Sequence, residues 1–173
     1  SDDWYFGTED FTFDCWAYFE SFGNYEGLMS QGSQHDNKKI NTLEVKSTGQ
    51  VRWLIRATGT AGTETIDMRT PSAVSLDTWH HIAAVRRGAY FYIFVNGVLE
   101  VTSSDDSTVN PGQPWYDPAL GTADLMNIPY NFSIGARNRG GTSFAYMNGY
   151  MDEVRVTKTA LWTDNFTPPT NRG

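Results

Sequence analysis

Few side chains in this sequence are of types that do covalent chemistry, and their spacing narrows the options. Two carboxylates sit side by side at Asp152-Glu153, two histidines at His80-His81, and the only cysteine is Cys15. A glycosidase flanks the bond it cleaves with two carboxyl groups about 5–9.5 Å apart. Adjacent strand residues point to opposite faces, so Asp152 and Glu153 are expected to diverge. No G-x-S-x-G nucleophile elbow occurs. His80 and His81 are expected to face opposite ways as packed, hydrogen-bonded strand residues, and no histidine pair has zinc-ligand spacing. One cysteine makes neither an intrachain disulfide nor a Cys-rich zinc site. The expectation is a chain that is not an enzyme.

Recognition chemistry is better represented. The C–H face of a pyranose is apolar and its hydroxyls are polar, so a sugar site needs an aromatic surface with a few fixed polar groups. Trp115-Tyr116-Asp117 offers both in one loop. Asn138, Arg139 and Tyr146, in the nearby 137–147 stretch, could add to it. These six are the expected ligand-binding residues. The competing expectation is that Trp115 and Tyr116 fold back to anchor their own loop.

The elements that must position these groups read as strands. Residues 11–19 alternate Phe11, Phe13, Cys15, Ala17 and Phe19 with Thr12, Asp14, Trp16 and Tyr18. Further strand patterns cover 27–31, 41–47, 50–57, 64–69, 79–86, 90–95, 98–103, 131–136 and 149–156. Thr48-Gly49, Arg87-Gly88 and Asn96-Gly97 fall between alternating runs and read as hairpin turns. The only helical candidate is a short turn at 157–162. Such a pattern predicts an all-β chain, a two-sheet antiparallel β-sandwich closed as a jelly roll. Residues 105–129 break the rhythm with four prolines and read as a long loop insertion.

Composition bounds the partners. The 173 residues suit one domain spanning 1–173. The formal net charge is −7, with 13 Lys+Arg against 20 Asp+Glu. That balance speaks against nucleic acid and against anionic membranes as partners. No apolar run approaches the roughly 18–20 residues of a membrane helix. The chain starts at Ser1 without a leader-like segment, as expected of part of a larger chain or assembly.

Several segments in order resemble one family. Gly7-Thr8-Glu9-Asp10-Phe11-Thr12-Phe13-Asp14-Cys15-Trp16 is similar to the opening of concanavalin A-like, laminin G-like domains. Trp79-His80-His81-Ile82-Ala83-Ala84-Val85-Arg86 resembles the family's central strand, and Phe94-Val95-Asn96-Gly97-Val98 its hairpin. Ser133-Ile134-Gly135-Ala136 and Gly149-Tyr150-Met151-Asp152-Glu153-Val154-Arg155-Val156 resemble two later strands. The ending, Asn165-Phe166-Thr167-Pro168-Pro169-Thr170, is similar to endings in phage and environmental bacterial proteins. Hydrolases of this fold carry E-x-D-x-x-E on one strand, a run absent here.

The resemblance implies a concanavalin A-like jelly roll and a non-catalytic module that binds a glycan or cell-surface polysaccharide on a virion or extracellular surface. It also implies a structural Ca2+ ion, with Asp152 as carboxylate ligand and Gly32 as carbonyl donor. The family's usual first strand would have to fit within residues 1–6. The alternatives are a structural subunit packing on other virion or fibre subunits and, third, a glycoside hydrolase or lyase.

Overall fold

The computed structural model describes residues 5–32, 40–56, 65–100, 102–103, 112–121, 128, 131–139 and 142–170. In chain order the elements are β1 (Phe11–Phe19), β2 (Tyr25–Gly32), β3 (Ile40–Lys46), β4 (Gln50–Arg56), β5 (Thr65–Ala73), β6 (Trp79–Arg87), β7 (Tyr90–Val95), β8 (Val98–Leu99) and β9 (Thr102–Ser103). They continue with β10 (Trp115–Tyr116), α1 (Pro118–Gly121), β11 (Phe132–Ile134), β12 (Arg137–Arg139), β13 (Thr142–Phe144) and β14 (Gly149–Thr157).

The first sheet runs β10, β7, β6, β1, β14, with β8 also paired to β7. The second runs β11, β2, β3, β4, β5, β9. The β12–β13 hairpin stands apart and packs on β2. Every pairing is antiparallel. The expected two-sheet β-sandwich is therefore what forms.

Alternation explains the core. Phe11, Phe13, Cys15, Ala17 and Phe19 of β1 are all buried and face Leu43, Val45, Val51, Trp53, Ile55, Ile66 and Met68 of the second sheet. Aromatic rings bridge the layers, with Phe11 5.9 Å and Phe91 5.8 Å from Trp53, and Phe13 5.5 Å from Phe132. The buried Trp53 indole donates to Asn41 Oδ1 at 2.6 Å. Phe6, 1% exposed, packs on Phe11 and Phe13 from the chain leading into β1. That chain is in the core without being a strand at residues 5 and 6; residues 1–4 lie outside the described residues.

The three expected hairpin turns join β3 to β4, β6 to β7 and β7 to β8. In the last, Asn96 and Gly97 have φ of 51° and 78°, the pair of positive values that a type I′ turn requires. Residues 157–162 are not helical. They finish β14 and lead into an extended tail that crosses the outer face of the first sheet. There Trp162 and Phe166 stack at 4.0 Å and cover Ala83, Val85, Tyr92 and Phe94. Thr12 Oγ1 donates to Thr159 O and accepts from Leu161 N–H, fixing the tail's start. The expected strand 98–103 is broken into β8 and β9.

Arg86 organises the other end of the sandwich. It is fully buried, and its guanidinium donates to carbonyls of Gly7, Glu9, Gly88, Leu120 and Gly121. These bonds tie the entry turn and the end of α1 to β6.

Candidate functional site

Trp115 and Tyr116 make up β10, opposite Phe91 and Tyr90 of β7. Consecutive strand residues diverge, so the two rings take different environments. Trp115 is half-buried against the core. Tyr116 is 57% exposed and lies 4.9 Å from the ring of Tyr90, itself 44% exposed. Asp117 caps α1: its Oδ1 accepts the N–H groups of Ala119 at 2.9 Å and Leu120 at 3.3 Å. Most of the remaining 105–129 insertion lies outside the described residues.

The other expected ligand residues belong to a different part of the sandwich. Asn138 and Arg139 lie on β12, which packs on β2, and Tyr146 follows β13. Asn138 is 1% exposed; its amide donates to Asn131 O at 2.8 Å and its N–H to Ser30 Oγ at 3.2 Å. It is built into the scaffold. The side chain of Arg139 lies outside the described residues. Tyr146 is exposed. The six residues thus divide into a group on the edge strand of the first sheet and a group on the second-sheet side.

The second sheet's outer face carries a charged cluster that inspection of the sequence did not single out. Glu44 accepts Arg52 Nη1 at 3.0 Å and pairs with Arg137 Nε at 2.8 Å. Arg52 also forks onto Asp67 at 2.6 and 2.8 Å, and Arg69 reaches Asp67 at 2.9 Å. Glu44 and Arg137 are buried, the guanidinium resting 4.3 Å from the Tyr25 ring and 5.5 Å from that of Phe144. Burial pushes Glu44 above the usual carboxylate range in spite of its two arginines, and burial lowers Arg137. Burial alone would raise Asp67 too, but hydrogen bonds from Arg52 and Arg69 outweigh it and hold that carboxyl low. The available signal was Glu44, Arg52, Asp67 and Arg69 at outward positions of three strands.

The first sheet's outer face contains a second polar group. Asp14 accepts Arg155 Nε and Nη2, both at 2.9 Å, and His81 Nε2 lies 3.3 Å from its Oδ2. His81 points outward, yet it is 1% exposed because the tail's Trp162 and Phe166 cover it. His80 is 8% exposed, so neither histidine faces solvent. A cleft of about 260 Å³ beside this pair is lined by Asp14, Trp16, His81, Glu153, Val154, Arg155 and Pro169. An Asp–His pair acts in covalent catalysis only with a nucleophile, and no serine, threonine or cysteine lines the cleft. Cys15 faces the core, where burial pushes its thiol far up.

The two adjacent carboxylates do not diverge as expected. A bulge interrupts the β1–β14 register between Asp14 and Trp16, and Glu153 within it adopts φ 48°. The extra residue breaks alternation, so Glu153 lines the cleft beside Trp16 while Asp152 stands opposite Trp16 on the same outer face.

For the expected calcium, Asp152 sits on β14 of the first sheet and Gly32 ends β2 of the second. Asp152 Oδ1 accepts the N–H of Glu153 at 2.8 Å. Among the described residues no three acidic, histidine or cysteine side chains are grouped to hold an ion. Asp152 and Gly32 alone do not make up the six to eight oxygens calcium takes.

Comparison with known proteins bears on this geometry. The family model described as the concanavalin A-like lectin/glucanases superfamily matches residues 2–165. CBM40 of the Ruminococcus gnavus IT-sialidase superposes with a TM-score of 0.66 at 17% identity, covering 91% of this chain and 80% of that one. The same CBM40 bound to α2,3-sialyllactose gives 0.64 at 18%, with the same coverage. The NanB sialidase of Streptococcus pneumoniae gives 0.65 at 13%, over 89% of this chain and 23% of that one. No curated protein sequence matches the chain.

Proposed function

The chain belongs to the concanavalin A-like lectin/glucanase superfamily, and from that premise we propose that it is a non-catalytic glycan-binding and adhesion module. The observation that carries this reading is the tyrosine pair at the first sheet's edge. Tyr116 and Tyr90 stand exposed and in contact, with Trp115 packed behind them. Contiguous exposed apolar surface on a folded chain can mark an interaction or ligand-binding site. The apolar face of a sugar ring suits it, and the polar groups around it can meet hydroxyls. A CBM40 carrying sialyllactose has the same fold, which supports a glycan as the partner class.

Display on a virion, as part of a fibre or capsid decoration, or on another extracellular surface belongs to the proposal. What supports it is the resemblance of the tail to phage and environmental bacterial proteins. A calcium ion at Asp152 and Gly32 likewise rests on the resemblance. The non-catalytic reading is supported by the likeness of the fold to CBM40, a carbohydrate-binding module.

A glycan array tests the function. Binding above background that is lost in Tyr116→Ala, with the melting temperature unchanged, is the expected result. No binding by well-folded protein would leave the structural-subunit reading in its place. Cleavage products from a bound glycan would turn the reading to a hydrolase or lyase.

A further inference from the structure

The outer face of the first sheet is only partly covered by the tail. Beyond the tail, β6, β1 and β14 lie side by side, and their register sets Trp79, Tyr18 and Tyr150 directly across from one another. Tyr18 is 5.7 Å from Trp79 and 5.9 Å from Tyr150, each pair inclined by 57°. Tyr150 is 59% exposed, and Trp79 and Tyr18 are half-buried. Three aromatic rings therefore cross three strands in one line. One pleat further along the same face is Trp16, at the mouth of the 260 Å³ cleft.

Among the described residues the charged groups beside this row are carboxylates, with Arg155 across the cleft from Trp16. The Tyr18 hydroxyl donates to Asp77 at 3.3 Å, and Glu20 follows at the end of β1. Asp152 and Glu153 stand on the Trp16 side. None of these four carboxylates is in an ion pair among the described residues. The nearest arginine on β14, Arg155, is committed to Asp14.

A ligand for this surface needs apolar faces for the rings and positive charge for the carboxylates. A carboxylate-bearing sugar would be repelled. A neutral hexose would use the rings and donate hydroxyls to the carboxylates, but would leave their charge without a counter-charge. An amino sugar with a free ammonium group uses both, through its C–H face and through cation–π and ionic contacts.

We propose that the Trp79–Tyr18–Tyr150 row with its acidic margin is a second glycan-binding strip, taking chains of amino sugars with free ammonium groups. It rests on the glycan-binding reading but is separate from the Tyr116 edge.

The probes are glucosamine oligomers, their fully N-acetylated counterparts and sialyllactose, each titrated calorimetrically into the intact chain. The glucosamine oligomer is expected to bind at least about tenfold more tightly than the acetylated one, and more weakly as salt is raised. Tyr150→Ala, at an exposed site on an edge strand, should remove that binding and leave the melting temperature in place. Asp77→Asn with Glu153→Gln should bring the two oligomers to similar affinity. Equal affinity for both oligomers in the parent chain, or binding indifferent to Tyr150→Ala, overturns the strip. If array glycans bind through Tyr116 while glucosamine oligomers do not bind, the strip alone fails. If no glycan of either kind binds, both readings fall together.

Discussion

Individual residues here owe their state more to pairing than to type. Glu44 and Arg137 are both buried and face each other at 2.8 Å. Taking Glu44 away leaves the buried Arg137 without its counter-ion, whereas Glu44 keeps Arg52 if Arg137 is lost, and stranding a buried charge costs about 3–5 kcal/mol. Glu44→Ala should therefore lower unfolding free energy by roughly that amount in urea denaturation. The double variant Glu44→Met with Arg137→Met should recover most of it, because it removes both charges and keeps volume. A double variant no better than the single would show that the pair matters for more than charge balance. His80 gives a pH-dependent case. Burial holds its pKa below the ordinary histidine value. Its Nε2 accepts the Ser75 N–H at 3.1 Å, which needs an unprotonated nitrogen. The unfolded chain then takes up the proton first as pH falls. The stability that depends on neutral His80 is present above about pH 6.5 and is lost as pH drops from there toward the lower folded value. In melting curves against pH, His80→Gln should flatten that limb. A single sequence exposes residue types such as Tyr116, but not the packing that joins Glu44 to Arg137 across ninety-two intervening positions.

Elements were legible where a local rule decides them. The alternation of β1 and the Asn96-Gly97 turn depend on neighbours in sequence, and both form as read. The short pieces β10, β12 and β13 carry too few residues for alternation to register and exist because longer strands present them an edge or a face. Residues 157–162 are extended where their local pattern suggests a short helical turn, because their fate is tertiary. Trp162 and Phe166 are held extended by the apolar outer face they cover. Gly97 links turn and tail. It has φ 78°, Phe166 N–H donates to its carbonyl at 2.9 Å, and a Cβ there would strike the Phe166 carbonyl oxygen. Gly97→Ala should cost about 1–2 kcal/mol for the left-handed backbone alone and more for the displaced tail. Tryptophan fluorescence should report the displacement as solvent exposure of Trp162. An unchanged melting temperature and spectrum would mean that the tail adds little to the fold.

At the scale of the whole molecule, the net charge of −7 is unevenly used. On the second sheet's outer face Glu44, Arg52, Asp67, Arg69 and Arg137 form ion pairs, and the first sheet's leaves Glu20, Asp77, Asp152 and Glu153 outside any ion pair among the described residues. Unpaired carboxylates on one face repel each other and are where a cation would stabilise the fold. That gives the proposed calcium a measurable consequence. A ligand bound only by the folded chain at about 100 times its dissociation constant adds roughly 2.7 kcal/mol. For a chain of this length, about 2–4 °C of melting temperature follows each kcal/mol. EDTA should then lower the melting temperature by roughly 5–11 °C, and Asp152→Asn should abolish the difference. If EDTA changes nothing in the parent chain, calcium leaves the proposal, and the carboxylates of the first sheet are free for the amino-sugar strip. If EDTA acts equally on parent and Asp152→Asn, the ion is bound at other residues than those the resemblance implies.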